Sequence, residues 1–256
     1  MRVCSFDVGF RHLAWCLFEV TDEWRSGIKA PSTIPPVQVI KWHLVDLLDG
    51  QKATGPVTEC VDALADHLLA PNSPLRETIA LCNSDLYYME QQVGQGNQKM
   101  YAFSAALRAA IYLVHSQIHG SDHTPTIKAV TPARKALQGL ERAFDEWPPV
   151  RDHPLGYSRP PPKTCTSYTR AYYKAKSIAA AEAMAAPTGM SLAQEDNVSV
   201  DKRDDLADAL MVGVAHLVRV ETATGAAGRR HKSVITRALG RASAFVGASA
   251  IMSCVG

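Results

Sequence analysis

The sequence predicts an α/β fold in which a five-stranded mixed sheet is flanked by helices. Two apolar runs separated by a glycine open the chain, and short apolar runs then alternate with longer segments of helical spacing. The chain has 256 residues, of which 46% are hydrophobic and 20% are charged. This composition is typical of a globular protein with one sizeable domain or two small ones.

The strands are predicted from short apolar runs bounded by turn residues. Residues 3–7 and 12–20 are two such runs, and Gly9 between them favours a hairpin. A proline-containing loop at 21–36 precedes a third run at 37–47. Three consecutive strands indicate an antiparallel opening to the sheet. The last two predicted strands are residues 85–90, which end in Glu90, and residues 126–130.

The helices are predicted from apolar residues at helical spacing. The predicted segments are residues 56–69, an Ala-rich stretch at 99–119, residues 172–184 and residues 202–220. Thr131 and Pro132 fit an N-cap followed by proline at the first helical position.

The remaining segments show neither the alternation of a strand nor the apolar spacing of a helix. Residues 91–97 form a polar, glycine-containing loop, and residues 141–169 form a proline-rich insertion. We therefore expect one domain over residues 1–220, followed by a basic tail over residues 221–256.

Composition also limits the function classes. The six cysteines include no CxxC pair and none near a histidine in a zinc pattern, so we expect free thiols in a reducing compartment. The first nine residues have the pattern of a strand and not of a secretory leader, and no apolar run approaches the ~20 residues of a membrane span. We expect an intracellular protein that is neither secreted nor membrane-bound. The net charge of +2 says little about a nucleic-acid partner.

Carboxylates stand at three places where they can meet. Asp7 ends the first strand, Glu90 ends the fourth, and Asp204, Asp205 and Asp208 open the last helix. Asp208 lies about 40° from Asp204 and about 60° from Asp205 around a helix axis, so the three share a face. An apolar stripe separate from this face is formed by Leu206, Leu210, Val214 and Leu217.

A cluster of acids repels itself unless a cation lies within it, and oxygen ligands favour Mg²⁺ or Mn²⁺ over zinc. Taken singly, each acid has an ordinary explanation, since aspartates cap helices and Asp-x-Gly is a common turn. The complete set of acids, two of which end apolar strands, indicates a metal site.

Basic and amide residues near these acids suit nucleic acid. Lys163, Arg170, Lys174 and Lys176 are interleaved with tyrosines, a pattern that fits phosphate contact and base stacking. A solvated approach to a helix explains the composition equally well. Amides follow Glu90 and could contact bases or phosphates, although a flexible polar loop is the alternative. These amides are Gln91, Gln92, Gln95, Asn97 and Gln98.

Five segments resemble the motifs of one enzyme family. Residues 5–15, with Asp7-Val8-Gly9, resemble the first strand and turn of Holliday junction resolvases of the RuvC type, and residues 88–92 resemble their second acidic motif. Residues 201–210 are very similar to the last motif of the poxvirus and yeast mitochondrial resolvases. Residues 131–135 and 172–176 resemble the family's Thr-Pro-x-x-Lys segment and basic stretch.

The resemblance implies a ribonuclease H-like fold and a specific activity. The expected enzyme hydrolyses phosphodiesters in four-way DNA junctions by paired symmetric nicks that leave 5′ phosphates. It would act in recombination or in the resolution of replicated DNA, and the last motif suggests a large DNA virus as the source. Two equivalent strands must be cut, so we expect a homodimer whose interface uses the Ala-rich helix at 99–119.

The resemblance also assigns residues. Two Mg²⁺ ions, which Mn²⁺ can replace, would be held by Asp7, Glu90, Asp205 and Asp208, with Asp204 competing with Asp205 for one place. Lys176 would reach the active site and offset charge on the phosphate. No small-molecule cofactor is expected. The expected DNA contacts are Gln91, Gln92, Asn97, Gln98, Arg134, Lys135, Lys174 and Lys176.

Other classes remain open from the sequence. Another ribonuclease H-like nuclease, acting on general branched DNA or on RNA–DNA hybrids, has the same acids. An actin-like kinase also opens with Asp-x-Gly, but it needs a second turn of this type, which the sequence lacks. The complete set of acids argues against an inactive DNA-binding relative.

Overall fold

The computed structural model describes residues 1–20, 37–48, 56–82, 86–91, 98–143, 166–192 and 202–226. The predicted loop at 21–36 and residues 92–97 of the predicted loop at 91–97 lie outside these ranges, as do residues 144–165 of the proline-rich insertion and the tail beyond Ala226.

All five predicted strands are confirmed. They are β1 (Arg2–Val8), β2 (His12–Glu19), β3 (Gln38–Asp46), β4 (Leu86–Glu90) and β5 (Thr126–Val130). They form one sheet in the order β3-β2-β1-β4-β5. The first three strands pair antiparallel, while β4 pairs parallel with both β1 and β5. The sheet is therefore mixed, as predicted, and β5 lies at its edge.

Gly9 makes the hairpin between β1 and β2 possible. Its backbone N–H donates to the His12 carbonyl at 3.0 Å. A Cβ atom at position 9 would lie 2.5 Å from the same carbonyl oxygen, which no larger residue tolerates. The predicted role of this glycine in a tight turn is confirmed.

Six α-helices accompany the strands in the described ranges. They are α1 (Val57–Leu69), α2 (Pro74–Leu81), α3 (Gln98–His119), α4 (Ala133–Ala143), α5 (Thr166–Ala185) and α6 (Arg203–Ala226). Helices α4 and α5 extend into both ends of the predicted proline-rich insertion, and α6 continues into the predicted tail. The fold class, an α/β fold with a five-stranded mixed sheet flanked by helices, is confirmed.

Two helix starts differ from the prediction. Helix α2 was not predicted, although Ser73 accepts a hydrogen bond from the Arg76 N–H and Pro74 occupies the first turn. Helix α4 begins one residue later than predicted. The Pro132 carbonyl accepts from the Ala136 N–H at 2.9 Å, so Pro132 is the N-cap and not the first helical residue.

The two faces of the sheet carry different cores. On one face the alternate residues Cys4, Phe6 and Val8 of β1 belong to a cluster with buried side chains of α1, α2 and α3. On the other face the Ser5 hydroxyl, fully buried, donates to the Ala209 carbonyl of α6 at 2.7 Å. The sheet is thus covered on both sides, and Asp7 shares the face of Ser5.

Helix α6 is buried more completely than predicted. The predicted apolar stripe is buried, but so are Ala207, Ala209, Met211, Val212 and Ala215 on other sides of the helix. Close approach to the sheet explains part of this burial. A Cβ atom at Gly213 would lie 2.7 Å from both the Ser5 hydroxyl oxygen and the Phe18 ring. The stripe prediction was incomplete because this helix is packed on several sides.

The chain divides into two compact units, Met1–Leu217 and Val218–Gly256. The predicted domain boundary at residue 220 and a separate role for the basic tail stay predictions. Within the described ranges Cys4, Cys16, Cys60 and Cys82 are buried, and none of them forms a disulfide. None of the described helices has the length and apolar character needed to cross a membrane.

Candidate active site

The register of the sheet places Asp7 beside Glu90. Phe6 of β1 is aligned with Met89 of β4 in the parallel pair, so the next residue of each strand is also adjacent. The two carboxyls share a hydrogen bond. Burial and then this contact with Glu90 raise the pKa of Asp7 well above its usual value.

The first turn of α6 brings three more acids to the same place. Asp204 is only 4% exposed and forms an ion pair with the Lys174 ammonium. Asp205 lies 3.7 Å from the Lys202 Nζ atom. The Asp208 Oδ1 atom accepts a hydrogen bond of 2.5 Å from the Ser177 hydroxyl of α5. Acids in a first turn are also favoured by the helix dipole, which explains why the helix tolerates them there.

One open pocket of about 500 Å³ joins these acids, and we call it the acidic pocket. Its lining includes Asp7, Glu90, Asp204, Asp205 and Asp208. All five acids singled out in the sequence therefore surround one space. The other walls come from the start of α4 and from α5, and they are Pro132, Ala133, Arg134, Leu137, Tyr173 and Lys174.

The crowding of carboxylates changes their protonation. Burial raises the pKa of Asp208 to about 7, with the nearby acids Asp204, Glu90 and Asp205 adding to the rise and the hydrogen bond from Ser177 opposing it. Burial and then Asp204 raise the pKa of Asp205. The folded chain thus holds protons that these groups would release in water. A divalent cation in the pocket would displace those protons.

The chemistry of the donors fits Mg²⁺ or Mn²⁺. The five acidic side chains supply only carboxylate oxygens, and hard oxygen donors are the ligands that these ions prefer. Among the described residues, however, no three acidic, histidine or cysteine side chains are grouped as ligands of a single ion. Their contacts here include one another, Ser177, the ammonium groups of Lys174 and Lys202, and the Ala133 N–H.

Lys174, and not Lys176, is the lysine of α5 that lines the acidic pocket. Lys176 is 6% exposed, pairs with Glu141 of α4 and lies 5.5 Å from the centre of the Tyr172 ring. The prediction that Lys176 reaches the active site therefore differs from its observed place. Residues two apart project about 200° from each other around a helix, so the two lysines cannot share a face.

Of the other predicted DNA contacts, Arg134 lines the acidic pocket, with its guanidinium 4.6 Å from the centre of the Tyr173 ring. Lys135 is exposed on α4, and Gln98 is exposed at the start of α3. Gln91 is exposed, and its backbone N–H donates to the Val130 carbonyl at 2.7 Å. Gln92 and Asn97 lie outside the described residues.

Several residues at the site were missed from the sequence. Ser177 contacts Asp208, and the Tyr173 hydroxyl accepts a hydrogen bond of 3.0 Å from the Gln138 amide. The signal for Ser177 was its spacing of three from Lys174, which puts both on one face of α5. Glu90 also has a second contact, since its Oε1 atom accepts from the Ala133 N–H at the start of α4. That contact joins a catalytic candidate to the helix carrying Arg134.

Sequence comparison finds no relative, because no family model and no curated protein matches the chain. Solved structures do resemble it. Thermus thermophilus RuvC in complex with a Holliday junction substrate matches at 12% identity and a TM-score of 0.48, over 88% of this chain and 98% of that one.

Two further solved structures are similar at the same level. Fowlpox virus resolvase, in complex with its substrate Holliday junction DNA, matches at 14% identity and a TM-score of 0.36, over 86% of this chain and 99% of that one. The yeast mitochondrial Holliday junction resolvase matches at 13% identity and a TM-score of 0.44, over 87% of this chain and 81% of that one. Likeness at this level does not carry activity, substrate or partner from those proteins to this chain.

Proposed function

We propose that this protein is a divalent-metal-dependent DNA endonuclease that resolves four-way junctions. The observation that supports the proposal is the acidic pocket, in which five carboxylates from two strands and a helix surround one open space with Arg134 and Lys174 at its wall. Carboxylates attract divalent cations, and the two basic side chains attract phosphate. Phosphodiester hydrolysis needs both in one place.

Asp7, Glu90, Asp205 and Asp208 would hold the metal, and Asp204 would join them if Lys174 released it. Bound Mg²⁺ supplies activation of water and stabilisation of the leaving 3′ oxygen, which gives 5′-phosphate products. Lys174 neutralises charge on the scissile phosphate, the role expected of Lys176 from the motif. Ser177 orients Asp208 through its hydrogen bond.

Junction resolution requires two cuts across a twofold axis, and each chain holds one acidic pocket among its described residues. We propose a homodimer that pairs through the exposed face of α3. Leu113 on that face is 62% exposed and is flanked by exposed Ala102 and Ala109, whose small side chains permit close approach. The motif at residues 201–210 favours a large DNA virus as the source and an intracellular place of action.

The direct test is incubation with a labelled synthetic four-way junction, with and without Mg²⁺. Symmetric nicks in opposite strands that a ligase can seal are the expected result, with no cleavage in a chelator. Mn²⁺ should replace Mg²⁺, whereas Ca²⁺, with its looser geometry, should permit binding without cleavage.

Linear duplex, branched DNA and an RNA–DNA hybrid of the same sequence serve as comparison substrates. Equal rates on these and on the four-way junction would contradict the junction specificity and favour a general ribonuclease H-like nuclease.

A further inference from the structure

A second pocket, on the sheet face that carries α3, shares Glu90 with the acidic pocket, and we call it the side pocket. It has a volume of about 250 Å³ and lies between the first half of α3 and the sheet edge formed by β4 and β5. Glu90 lines both pockets. A nucleotide strand whose phosphate occupies the acidic pocket would reach the side pocket by passing around the end of β4 at Glu90.

The side pocket is apolar inside, with an aromatic rim. Met89, Ile127 and Ala129 contribute apolar side chains from the two strands. Tyr101 of α3 lies at the rim and is 52% exposed, which is unusual for so large an aromatic side chain. A flat, exposed ring beside an apolar cavity suits the stacking of another flat ring.

Polar groups occupy defined places in the same pocket. The Ser104 hydroxyl oxygen is buried in the lining and makes no hydrogen bond with any described residue. The Arg108 guanidinium donates one hydrogen bond to the Ile127 carbonyl of β5. Gln91 adds an exposed amide at the end of β4. A buried hydroxyl without a partner is costly, and a ligand that bonds to it would remove that cost.

We propose that the side pocket receives one unstacked nucleobase of the strand bound in the acidic pocket. This inference rests on the proposed function. The base would stack on Tyr101, place its apolar face over Ile127 and present its polar edge to Ser104 and Arg108. Because a guanidinium only donates, a base with neighbouring acceptors such as guanine fits best. The pocket would thus select the nucleotide next to the cut.

A second copy of the chain is the competing occupant. The face of α3 assigned to the dimer is centred on Leu113, which lies about 120° from Tyr101 around the helix. The side pocket is therefore on the flank of α3 that turns toward β5, away from the face with exposed Ala109 and Leu113.

The test is an abasic scan of the four-way junction. Each nucleotide near the cut is replaced in turn by an abasic site, and cleavage in Mg²⁺ and binding in Ca²⁺ are both measured. One position should lower both quantities roughly tenfold, as expected for the loss of one base–aromatic stack. Tyr101→Ala should give the same loss on the intact junction and no further loss at that abasic position. Ser104→Leu, which fills the pocket, should behave in the same way.

The matched control is Tyr112→Ala. Tyr112 is 45% exposed, and lies on α3 three turns from Tyr101 and outside the side pocket, so this variant should keep the abasic response. If the junction is cleaved but no abasic position lowers cleavage or binding, the proposed base pocket is wrong while the proposed function stands. The same conclusion follows if Tyr101→Ala keeps the full sensitivity to the abasic position. A changed dimer mass in Tyr101→Ala with an unchanged scan assigns the pocket to a second copy. A junction neither bound nor cut removes the proposed function as well.

Discussion

Asp7 and Glu90 lie side by side at the ends of β1 and β4, and burial followed by the contact with Glu90 raises the pKa of Asp7 well above its usual value. A proton on Asp7 offsets the repulsion that a bound cation would otherwise relieve. We expect Asp7→Asn and Glu90→Gln each to reduce junction cleavage at least about 100-fold, because each removes a proposed metal ligand. Both variants should remain folded, since each amide is close in shape to the acid it replaces.

Cleavage rates at matched Mg²⁺ concentration and circular dichroism check this prediction. Asp62→Asn is the control, because Asp62 is an exposed acid on α1 outside the acidic pocket. Retention of more than about a tenth of the wild-type rate by either site variant would contradict the metal-ligand role.

The two lysines of α5 should have separable effects. Lys174→Met should lower cleavage about tenfold or more, because it removes the cation beside the proposed phosphate position. Lys176→Met should act mainly on stability, because it removes the ion pair between the nearly buried Lys176 ammonium and Glu141, whose side chain is 39% exposed. Single-turnover rates and melting temperatures distinguish the two effects. The reverse pattern would return the catalytic role to Lys176.

The raised pKa values predict how the metal-free protein responds to pH. Asp208 in the folded chain has a pKa of about 7, against 3.8 for its ordinary value, so the folded state binds a proton more tightly than the unfolded state. The resulting stabilisation is complete below the ordinary value and is lost as pH rises toward about 7. In a chelator the melting temperature should therefore fall between about pH 4 and about pH 7 and level off above that.

Mg²⁺ should restore stability most at the higher pH, where the carboxylates are charged. Asp208→Asn, which cannot titrate, should flatten the profile in the chelator. A melting temperature that rises steadily over this pH interval in wild-type protein would contradict the shifted carboxyls.

Only some residues of the candidate active site could be predicted from the sequence. The five acids were predictable because strand ends and a helix start are local patterns. The place of Lys174 was not, because the motif suggested a lysine of the basic stretch without specifying the rotation of α5. Ser177 was missed for a related reason, since a serine among alanines acquires meaning only when Asp208 faces it.

At the scale of elements, Gly213 fixes how closely α6 approaches the sheet. Gly213→Ala improves helix propensity, but its Cβ atom would lie 2.7 Å from the Ser5 hydroxyl and from the Phe18 ring. The clash should outweigh the gain, and we expect the variant to lose about 1–3 kcal/mol of unfolding free energy. Urea unfolding measures this loss.

The control variant is Ser116→Ala in α3. Ser116 is only partly buried, so this change should be nearly neutral for the free energy of unfolding. A stabilised Gly213→Ala variant would show that α6 can shift away from the sheet.

The elements show where sequence patterns are sufficient. All five strands were predicted because alternating or continuous apolar runs bounded by turns are strong signals. Helix α2 was missed because its eight residues span barely two turns, too few for a clear period. The incomplete prediction for α6 has another cause. A helix packed on several sides is apolar nearly all round, and such a helix has no single stripe to detect.

At the scale of the whole molecule, the proposed dimer can be tested by mixing. Wild-type protein combined with inactive Asp7→Asn protein should nick junctions instead of resolving them, because a mixed dimer has one working site. Gel analysis of products at several mixing ratios measures this, with separately assembled homodimers as controls. A monomer mass under conditions that still resolve junctions would contradict the dimer.

The acidic pocket has a further consequence for biosynthesis. Ser5 and Ala209, whose hydrogen bond docks α6 on the sheet, are 204 residues apart in the chain. Three of the five carboxylates of the acidic pocket belong to α6. The pocket is therefore complete only after α6 has packed on the sheet, which requires the long-range contact between Ser5 and Ala209. Contacts of such separation form late, and during synthesis they cannot form until the ribosome has released α6. A nascent chain therefore carries no assembled acidic pocket before α6 emerges.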